Sequence, residues 1–193
     1  MTQPEIVRTR GEESREAILA AAMQLFGLRG FRGTSLASIA EAAGLSQPGL
    51  LHHFPSKTDL LLAVLASRDA SDGQISSRLA GDIVDGLRTL VAHNESQAEV
   101  VRLFSMLLGE SVAADHPAHD YFVTRYKDIR ARFVRHLTEA QAQGALSPGI
   151  DVPTLANLLI AVLDGLQFQW LLDNSVDMKA GYGLLADLIT PDL

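Results

Sequence analysis

The sequence predicts an all-α protein, and three observations support this fold class. Apolar residues recur every three or four positions in nearly every segment, which is the period of one face of a helix. Serine, threonine and glycine residues lie where helices of ordinary length would begin and end. The 193 residues are 47% hydrophobic, which is enough to bury the core of one or two domains.

Composition and charge narrow the class of protein. The chain has no cysteine, which excludes disulfides, thiolate nucleophiles and cysteine-bound zinc. We identify no window that approaches the roughly 20 apolar residues of a membrane span, and the first fourteen residues lack the apolar core of a secretory signal. We therefore expect a cytoplasmic protein without membrane association.

The net charge of −7 is unevenly distributed along the chain. Residues 1–60 contain six basic and six acidic side chains, whereas residues 61–193 contain ten basic and seventeen acidic ones. All of the net negative charge therefore lies downstream of residue 60. This distribution is compatible with an N-terminal part that faces nucleic acid and is joined to an acidic body.

Two helices are predicted at the start of the chain. The first covers residues 14–29, has glutamates at its N-terminal end that suit the helix dipole, and is closed by Gly30. A short second helix follows Thr34 or Ser35, since either hydroxyl can cap its first turn. Gly44 ends this helix, because a left-handed residue after the last turn strongly favours glycine.

The third helix begins directly after this glycine turn. Ser46 or Gln47 can cap it, and Pro48 is tolerated because a first-turn residue needs no N–H partner within the helix. The Phe54-Pro55 step breaks the helix, since the residue before a proline avoids the α region. Helix, tight turn and short helix form the pattern of a helix-turn-helix. A leucine-rich fourth helix opens at Ser56.

The segment GFRGTSLASIAEAAGLSQPGLLHHFPSKTDLLLAV closely resembles the DNA-binding domain of the TetR (tetracycline-repressor-like) family of bacterial one-component regulators. The resemblance covers about residues 14–65. The matching positions are Gly30, Phe31, Thr34, Ile39, Ala40, Ala43, Gly44, Leu45, Ser46, Leu50, His53, Phe54, Lys57 and Leu60.

The resemblance implies an all-helical homodimer of about nine helices per subunit. We expect a flexible basic arm over residues 1–13, a three-helix helix-turn-helix DNA-binding domain over 14–60, and a helical ligand-binding and dimerisation domain over 61–193. The family implies a transcriptional regulator, more often a repressor, that binds a palindromic double-stranded operator. It also implies release by a small molecule, which biases the spacing of the two DNA-binding domains.

In a helix-turn-helix, the N-terminal part of the second helix enters the major groove. Gln47 can make two hydrogen bonds to adenine, and Pro48 can contact a thymine methyl group. Lys57 and nearby hydroxyls are placed to hold phosphates. The predicted DNA-binding residues are Thr34, Ser35, Ser46, Gln47, Pro48, Gly49, His52, His53 and Lys57.

The adjacent pair His52 and His53 also invites a metal-site interpretation. Adjacent residues on a helix point about 100° apart and do not converge on one ion. His53 is instead expected to donate to a phosphate, by its position in the family, while His52 is either a DNA contact or solvated. No metal site and no cofactor are predicted.

Two positions depart from the family pattern. Leu51 replaces a tyrosine that usually reaches the DNA backbone, and Ala37 replaces a residue that is often arginine or polar. We expect fewer phosphate contacts and a shallow salt dependence, or compensation by Arg8 and Arg10 of the N-terminal arm.

The C-terminal part continues with helical apolar stripes over residues 72–92, 97–113 and 118–143. Residues 152–173 are apolar nearly all round, and such a helix must be covered on every side. One face is expected to meet its own core and the other a second copy, with a last helix near 177–189 completing a four-helix interface. The predicted interface residues are Leu155, Leu159, Val162, Leu166, Tyr182 and Leu185.

Large apolar residues on these helices suit a largely apolar ligand. Each of them, taken singly, is also explained by ordinary core packing, and this alternative stays open. The predicted ligand-binding residues are Phe104, Met106, Phe122, Tyr126, Phe133, Asn157 and Trp170.

The sequence was also searched for a zinc site and for the motifs of an enzyme. In the segment DHPAHD, His116 and His119 have the chemistry of zinc ligands, but their spacing around Pro117 favours a polar turn between helices. The chain has no glycine-rich phosphate loop, GxSxG elbow or HExxH motif, so an enzyme is not predicted. A helical ligand carrier, or an enzyme without DNA binding, remains the alternative.

Overall fold

The computed structural model describes residues 9–76 and 83–189, and every regular element within them is an α-helix. This confirms the all-α prediction and the expected number of helices. In chain order, the described helices are α1 (Arg10–Arg29), α2 (Leu36–Ala42), α3 (Gln47–His53), α4 (Lys57–Ser76), α5 (Ile83–Ser96), α6 (Ala98–Glu110), α7 (His119–Ala142), α8 (Val152–Leu172) and α9 (Met178–Ile189).

The first helix begins earlier than the sequence analysis placed it. The Thr9 hydroxyl accepts from the Glu12 N–H at 3.3 Å, and the Glu12 carboxylate accepts from the Thr9 N–H at 2.7 Å. This reciprocal capping box satisfies two donors at the start of the helix. Residues 10–13 are therefore helical rather than part of a flexible arm, while Arg8 lies outside the described residues.

Local signals position α2 and α3 as expected. The Ser35 side chain accepts from the Ser38 N–H and caps α2, and the Ser46 side chain caps α3 by accepting from the Gly49 N–H. Between them, Gly44 has φ of 69°, and the following N–H donates back to the Ala40 carbonyl at 2.8 Å. This left-handed turn reverses the chain and forms the helix-turn-helix.

One continuous apolar core joins the N-terminal helices to α6 and α7. It contains Phe26 of α1, Leu50 of α3, Leu61 of α4, Leu107 of α6 and Phe122 of α7, all buried. Helix α4 runs unbroken through the predicted domain boundary at residue 60. The two predicted domains therefore share a helix and a core.

Helix α8 contacts α6, α7 and α9, and α5 packs mainly against α9. Among residues 9–76 and 83–189, α8 is the one helix that is long and apolar enough to cross a membrane, which corrects the expectation that no such segment exists. Six of its residues are nevertheless buried in the protomer, as in a core helix. The buried residues are Val152, Leu155, Ala156, Leu159, Ile160 and Leu163.

Candidate nucleic-acid interface

Helix α3 presents a continuous solvent face that is anchored from behind. Leu50 is fully buried on the opposite side, where it joins the core. Because residues three and four apart share one face of a helix, the exposed side chains form a single surface. The exposed residues of this α3 face are Gln47, Pro48, Leu51 and His52.

Several predicted DNA contacts lie at or beside this face. Ser46 and Ser35 are exposed cap residues, so each hydroxyl lies at the first turn of a helix, where N–H groups also point outward. His53 is half-buried and its ring lies 5.6 Å from the exposed ring of His52. The geometry thus leaves Ser35, Ser46, Gln47, Pro48 and His52 open to a duplex.

Thr34 does not have the predicted role. Its side chain is buried, with 2% exposure, and its hydroxyl donates to the carbonyls of Leu25 at 3.1 Å and Gly30 at 2.8 Å. These bonds tie the turn after α1 to the end of α1. The prediction of a phosphate contact by this hydroxyl was therefore wrong, because the group is already satisfied inside the domain.

Lys57 is also used internally. Its ammonium group donates to the carbonyls of Phe31 at 2.7 Å and Thr34 at 2.8 Å, and lies 4.3 Å from the centroid of the Phe31 ring. Burial lowers the pKa of Lys57, and the nearby Glu110 carboxylate opposes this shift. The predicted phosphate contact is therefore corrected to a structural role, in which the ammonium holds the turn between α1 and α2.

We accordingly expect Lys57→Met to lower the free energy of unfolding. The methionine keeps most of the apolar stem but leaves two carbonyls without their charged donor, a loss of about 1–3 kcal/mol. Urea denaturation followed by circular dichroism measures the change. Lys127→Met, at an exposed position on α7, is the control. A Lys57→Met protein as stable as the wild type, but impaired in DNA binding, would restore the phosphate role.

The structure brings together three of the predicted ligand-binding residues. Phe104, Phe122 and Tyr126 belong to or pack against the same core, and the Phe104 and Phe122 rings meet edge-to-face with centroids 5.9 Å apart. Tyr121 completes this aromatic group, with its ring 5.1 Å from that of Phe122. The group lies where α6 meets α7.

The other predicted ligand-binding residues are dispersed. Phe133 and Trp170 pack against a separate cluster around Leu163 and Tyr182. Met106 is exposed, and Asn157 is exposed and accepts from Arg130 Nε at 2.7 Å. The seven residues therefore do not line one site in the isolated protomer, and this prediction was wrong. Helical periodicity shows that a face is buried but does not show which neighbouring helix it contacts.

A half-buried carboxylate beside Tyr126 was not predicted. Asp164 of α8 accepts from the Tyr126 hydroxyl at 2.6 Å. Burial raises the pKa of Asp164, while the Tyr126 hydrogen bond and Arg125 lower it. Burial and the same hydrogen bond raise the pKa of Tyr126. The only indication in the sequence was that Asp164 is the one acidic residue of a largely apolar helix.

The predicted dimer residues face inward. Leu155, Leu159 and Tyr182 are buried within the protomer, and Val162, Leu166 and Leu185 pack partly buried against the same clusters. Burial within the protomer therefore corrects the prediction for Leu155, Leu159 and Tyr182, because a helix that is apolar all round has no periodicity to mark its outer side. The interface itself stays a prediction.

Exposed apolar residues lie instead on the opposite side of α8 and on α9. On α8 they are separated by three, seven and four residues, so they lie on one side of the helix. Leu158, Leu184 and Leu188 are 58%, 62% and 68% exposed. We call this surface the α8–α9 face, and its residues are Leu158, Ala161, Phe168, Leu172, Leu184 and Leu188.

The two histidines of the DHPAHD segment bond within the turn between α6 and α7. His116 is buried, and its Nδ1 accepts from the Ala118 N–H at 3.2 Å and lies 2.9 Å from the Ser111 hydroxyl. His119 Nδ1 lies 2.8 Å from the Ser111 carbonyl oxygen. These contacts fit the interpretation of this segment as a polar interhelical turn.

Comparisons with known proteins match both parts of the chain. The family model for bacterial regulatory proteins of the tetR family matches residues 18–64, and that for the C-terminal domain of BetI-type transcriptional repressors matches residues 82–190. The HTH-type transcriptional repressor BepR of Brucella suis is 29% identical over 178 residues, covering 85% of this chain and 84% of BepR. The regulator RutR of Escherichia coli is 49% identical over 65 residues, 31% of each chain.

Solved structures agree with these relatives. A TetR-family regulator from Rhodococcus is 26% identical, with a TM-score of 0.72 over 92% of this chain and 98% of that one. A TetR regulator from Chloroflexus aurantiacus shares the fold, with 24% identity and a TM-score of 0.78 over 93% and 94% of the two chains. With both family models matched and the helix-turn-helix in place, the chain belongs to the TetR family of DNA-binding transcriptional regulators.

Proposed function

We propose that this protein is a cytoplasmic, homodimeric repressor that binds a palindromic operator through α3 and is released by a small, largely apolar ligand. The observation that carries the proposal is the α3 face, because Gln47, Pro48, Leu51 and His52 stand free of the core on the helix that such motifs insert into the major groove. Repressors among the relatives support the direction of regulation.

The α3 face combines two kinds of base recognition. Gln47 offers an amide that can pair with the N6 and N7 atoms of adenine. Pro48 and Leu51, three residues apart, flank the centre of the exposed side and offer apolar contacts to thymine methyl groups. Leu51, 36% exposed, therefore takes up base reading where the family more often has a backbone contact.

The α8–α9 face supports the homodimer. Exposed leucines and a phenylalanine on two adjacent helices form a patch that a second copy would cover through an isologous four-helix interface. Two copies related by a twofold axis place two α3 helices on one side of a duplex. A twofold arrangement of this kind selects a palindrome.

The aromatic group at the junction of α6 and α7 supports a largely apolar ligand. Phe104, Phe122 and Tyr126 meet there, and the Tyr126–Asp164 pair supplies a polar group at its edge. Because α6 also packs against α1, a ligand that moves α6 would shift the DNA-binding helices. Ligand and operator would then oppose each other's binding.

Base reading by Leu51 is tested with uracil, which lacks only the 5-methyl group of thymine. Replacing single thymines of each operator half-site by uracil should weaken binding at one or two positions, by about fourfold per half-site for one lost methyl contact. Leu51→Ala should bind the thymine and uracil duplexes alike at the affected position. Fluorescence anisotropy at fixed salt measures both.

Thymines outside the half-sites serve as the control and should tolerate uracil. If no half-site thymine is sensitive to the loss of its methyl group, α3 does not read bases through its apolar residues. If the wild type and Leu51→Ala show the same sensitivity, the contact belongs to Pro48 or to another residue.

A further inference from the structure

The turn after α1 is bound directly by the C-terminal part of the chain. The Phe31 N–H donates to Glu110 Oε2 at 2.7 Å, and Glu110 is the last residue of α6. Gly30 precedes this contact with φ of 70°, and a Cβ at this position would overlap the Glu110 carboxylate. The carboxylate therefore sits against the backbone with no room for a side chain between them.

The buried His116 ring lies beside this carboxylate. Because an N–H always donates, the bond from Ala118 N–H leaves Nδ1 as an acceptor and places the ring proton on Nε2. Nε2 lies 3.5 Å from Glu110 Oε2. The imidazole also packs edge-to-face on the Phe31 ring, with centroids 5.3 Å apart. The buried ring thus lies beside both Glu110 and Phe31, while its Nε2 has no hydrogen-bond partner among the described residues.

The other side of the turn is bound by the DNA-binding part itself. The Phe31 carbonyl accepts from Lys57 Nζ. Lys57 is the first residue of α4, which follows α3 and its connecting turn. The backbone of Phe31 therefore lies between a carboxylate of α6 and an ammonium of α4. Through these two charge-assisted bonds, α6 is connected to the helix that follows the α3 face.

Apolar contacts also join α1 to α6. Gly27 of α1 approaches Leu103 of α6 so closely that an added Cβ would lie 3.3 Å from Leu103 Cα. Apolar burial is non-directional, whereas a hydrogen bond to a carboxylate constrains both distance and angle. The Glu110 bond is therefore the contact best suited to define the orientation of the DNA-binding helices.

We propose that Glu110 is a positioning residue for DNA recognition, which holds the helix-turn-helix at the orientation that sets the spacing between the two α3 helices of the dimer. This inference rests on the proposed homodimer and its palindromic operator. A palindrome is bound well only when the separation of its half-sites matches that of the two α3 helices. Loss of the bond should therefore change the preference for spacing rather than the contacts of each α3 helix.

The test compares three DNA duplexes: the operator, the operator with one central base pair added or removed, and an isolated half-site. Glu110→Ala should bind the operator about tenfold more weakly than the wild type, as expected for loss of a hydrogen bond to a charged group. Its preference for the native spacing should shrink by the same factor. Its affinity for the isolated half-site should equal that of the wild type.

Two further variants sharpen the test. Glu110→Gln keeps an oxygen that can accept from Phe31 N–H and should retain most of the spacing preference. Asp115→Ala removes a carboxylate from the turn between α6 and α7. The Asp115 carboxylate lies 3.3 Å from the guanidinium of Arg32, the residue after Phe31, but both of these side chains are largely exposed. Asp115→Ala should therefore behave like the wild type.

Two results would overturn the inference about Glu110, and a third would refute the proposed function. A Glu110→Ala protein with wild-type spacing preference overturns the inference. Equal weakening on the half-site and on every spacing, with a lowered melting temperature, also overturns it, because Glu110 would then support only the fold. A wild-type protein that prefers no spacing at all refutes the proposed function itself, and this result is obtained before any variant is compared.

Discussion

Replacing Leu158 with aspartate should convert a dimer of twice 20.8 kDa into a monomer. Leu158 lies on the α8–α9 face and is 58% exposed in the protomer, so the change leaves the interior of the protomer intact. In a twofold interface each copy would bury an unpaired carboxylate, at a cost on the order of 3–5 kcal/mol. Sedimentation equilibrium at micromolar concentration measures the mass. The affinity for the operator should fall when the dimer is lost, because a monomer contacts only one half-site.

The control for this variant is Val112→Asp. Val112 is also apolar and is 80% exposed, but it lies between α6 and α7, away from the α8–α9 face. It should remain a dimer and bind the operator. A dimeric Leu158→Asp protein would show that the α8–α9 face is not the interface.

The second large effect is expected for Gln47→Ala. A bidentate amide–adenine contact contributes about 1–3 kcal/mol of discrimination, and a dimer makes it twice, so operator affinity should fall by roughly 30-fold or more. Discrimination for adenine should be lost at the contacted position. The free energy of unfolding should not change, since the side chain is exposed. Anisotropy titrations with the operator and with its single-base variants measure the effect.

Gln143→Ala, at an exposed position at the end of α7, provides the matched loss of a glutamine far along the chain. It should bind the operator as the wild type does. If Gln47→Ala also binds every variant operator with wild-type affinity, α3 does not enter the major groove with its N-terminal end.

Short-range signals were enough to predict the N-terminal part of the fold. Gly44, Ser46 and Pro48 each act within a few residues, and the turn and caps appear where these residue types require them. The exposed face of α3 followed from the same reasoning, because Leu50 marks its buried side.

The errors at Thr34 and Lys57 arose because backbone carbonyls elsewhere in the folded domain decide what these polar side chains do. Thr34 and Lys57 have the chemistry of phosphate ligands, but the carbonyls of Gly30, Phe31 and Leu25 take them first. The sequence analysis did not identify Glu110, since its partner lies 79 residues earlier. No short-range sequence pattern indicates a contact between residues 79 positions apart.

The prediction that Leu155 and Leu159 face a second copy was wrong for a different reason. In α8, apolar residues surround the helix, so the sequence cannot say which side meets α7 and which meets solvent. The packing of α7 and α9 decides it, by burying Leu155 and Leu159 and leaving Leu158 and Phe168 outside.

Selection of the purified protein against a randomised duplex library at moderate salt tests the central claim most directly. A dimer that reads DNA through two α3 faces should enrich one palindrome, with a defined spacing between half-sites and with adenine and thymine at the positions that face Gln47, Pro48 and Leu51. Enrichment of a single half-site without symmetry, or of no sequence at all, would contradict the account.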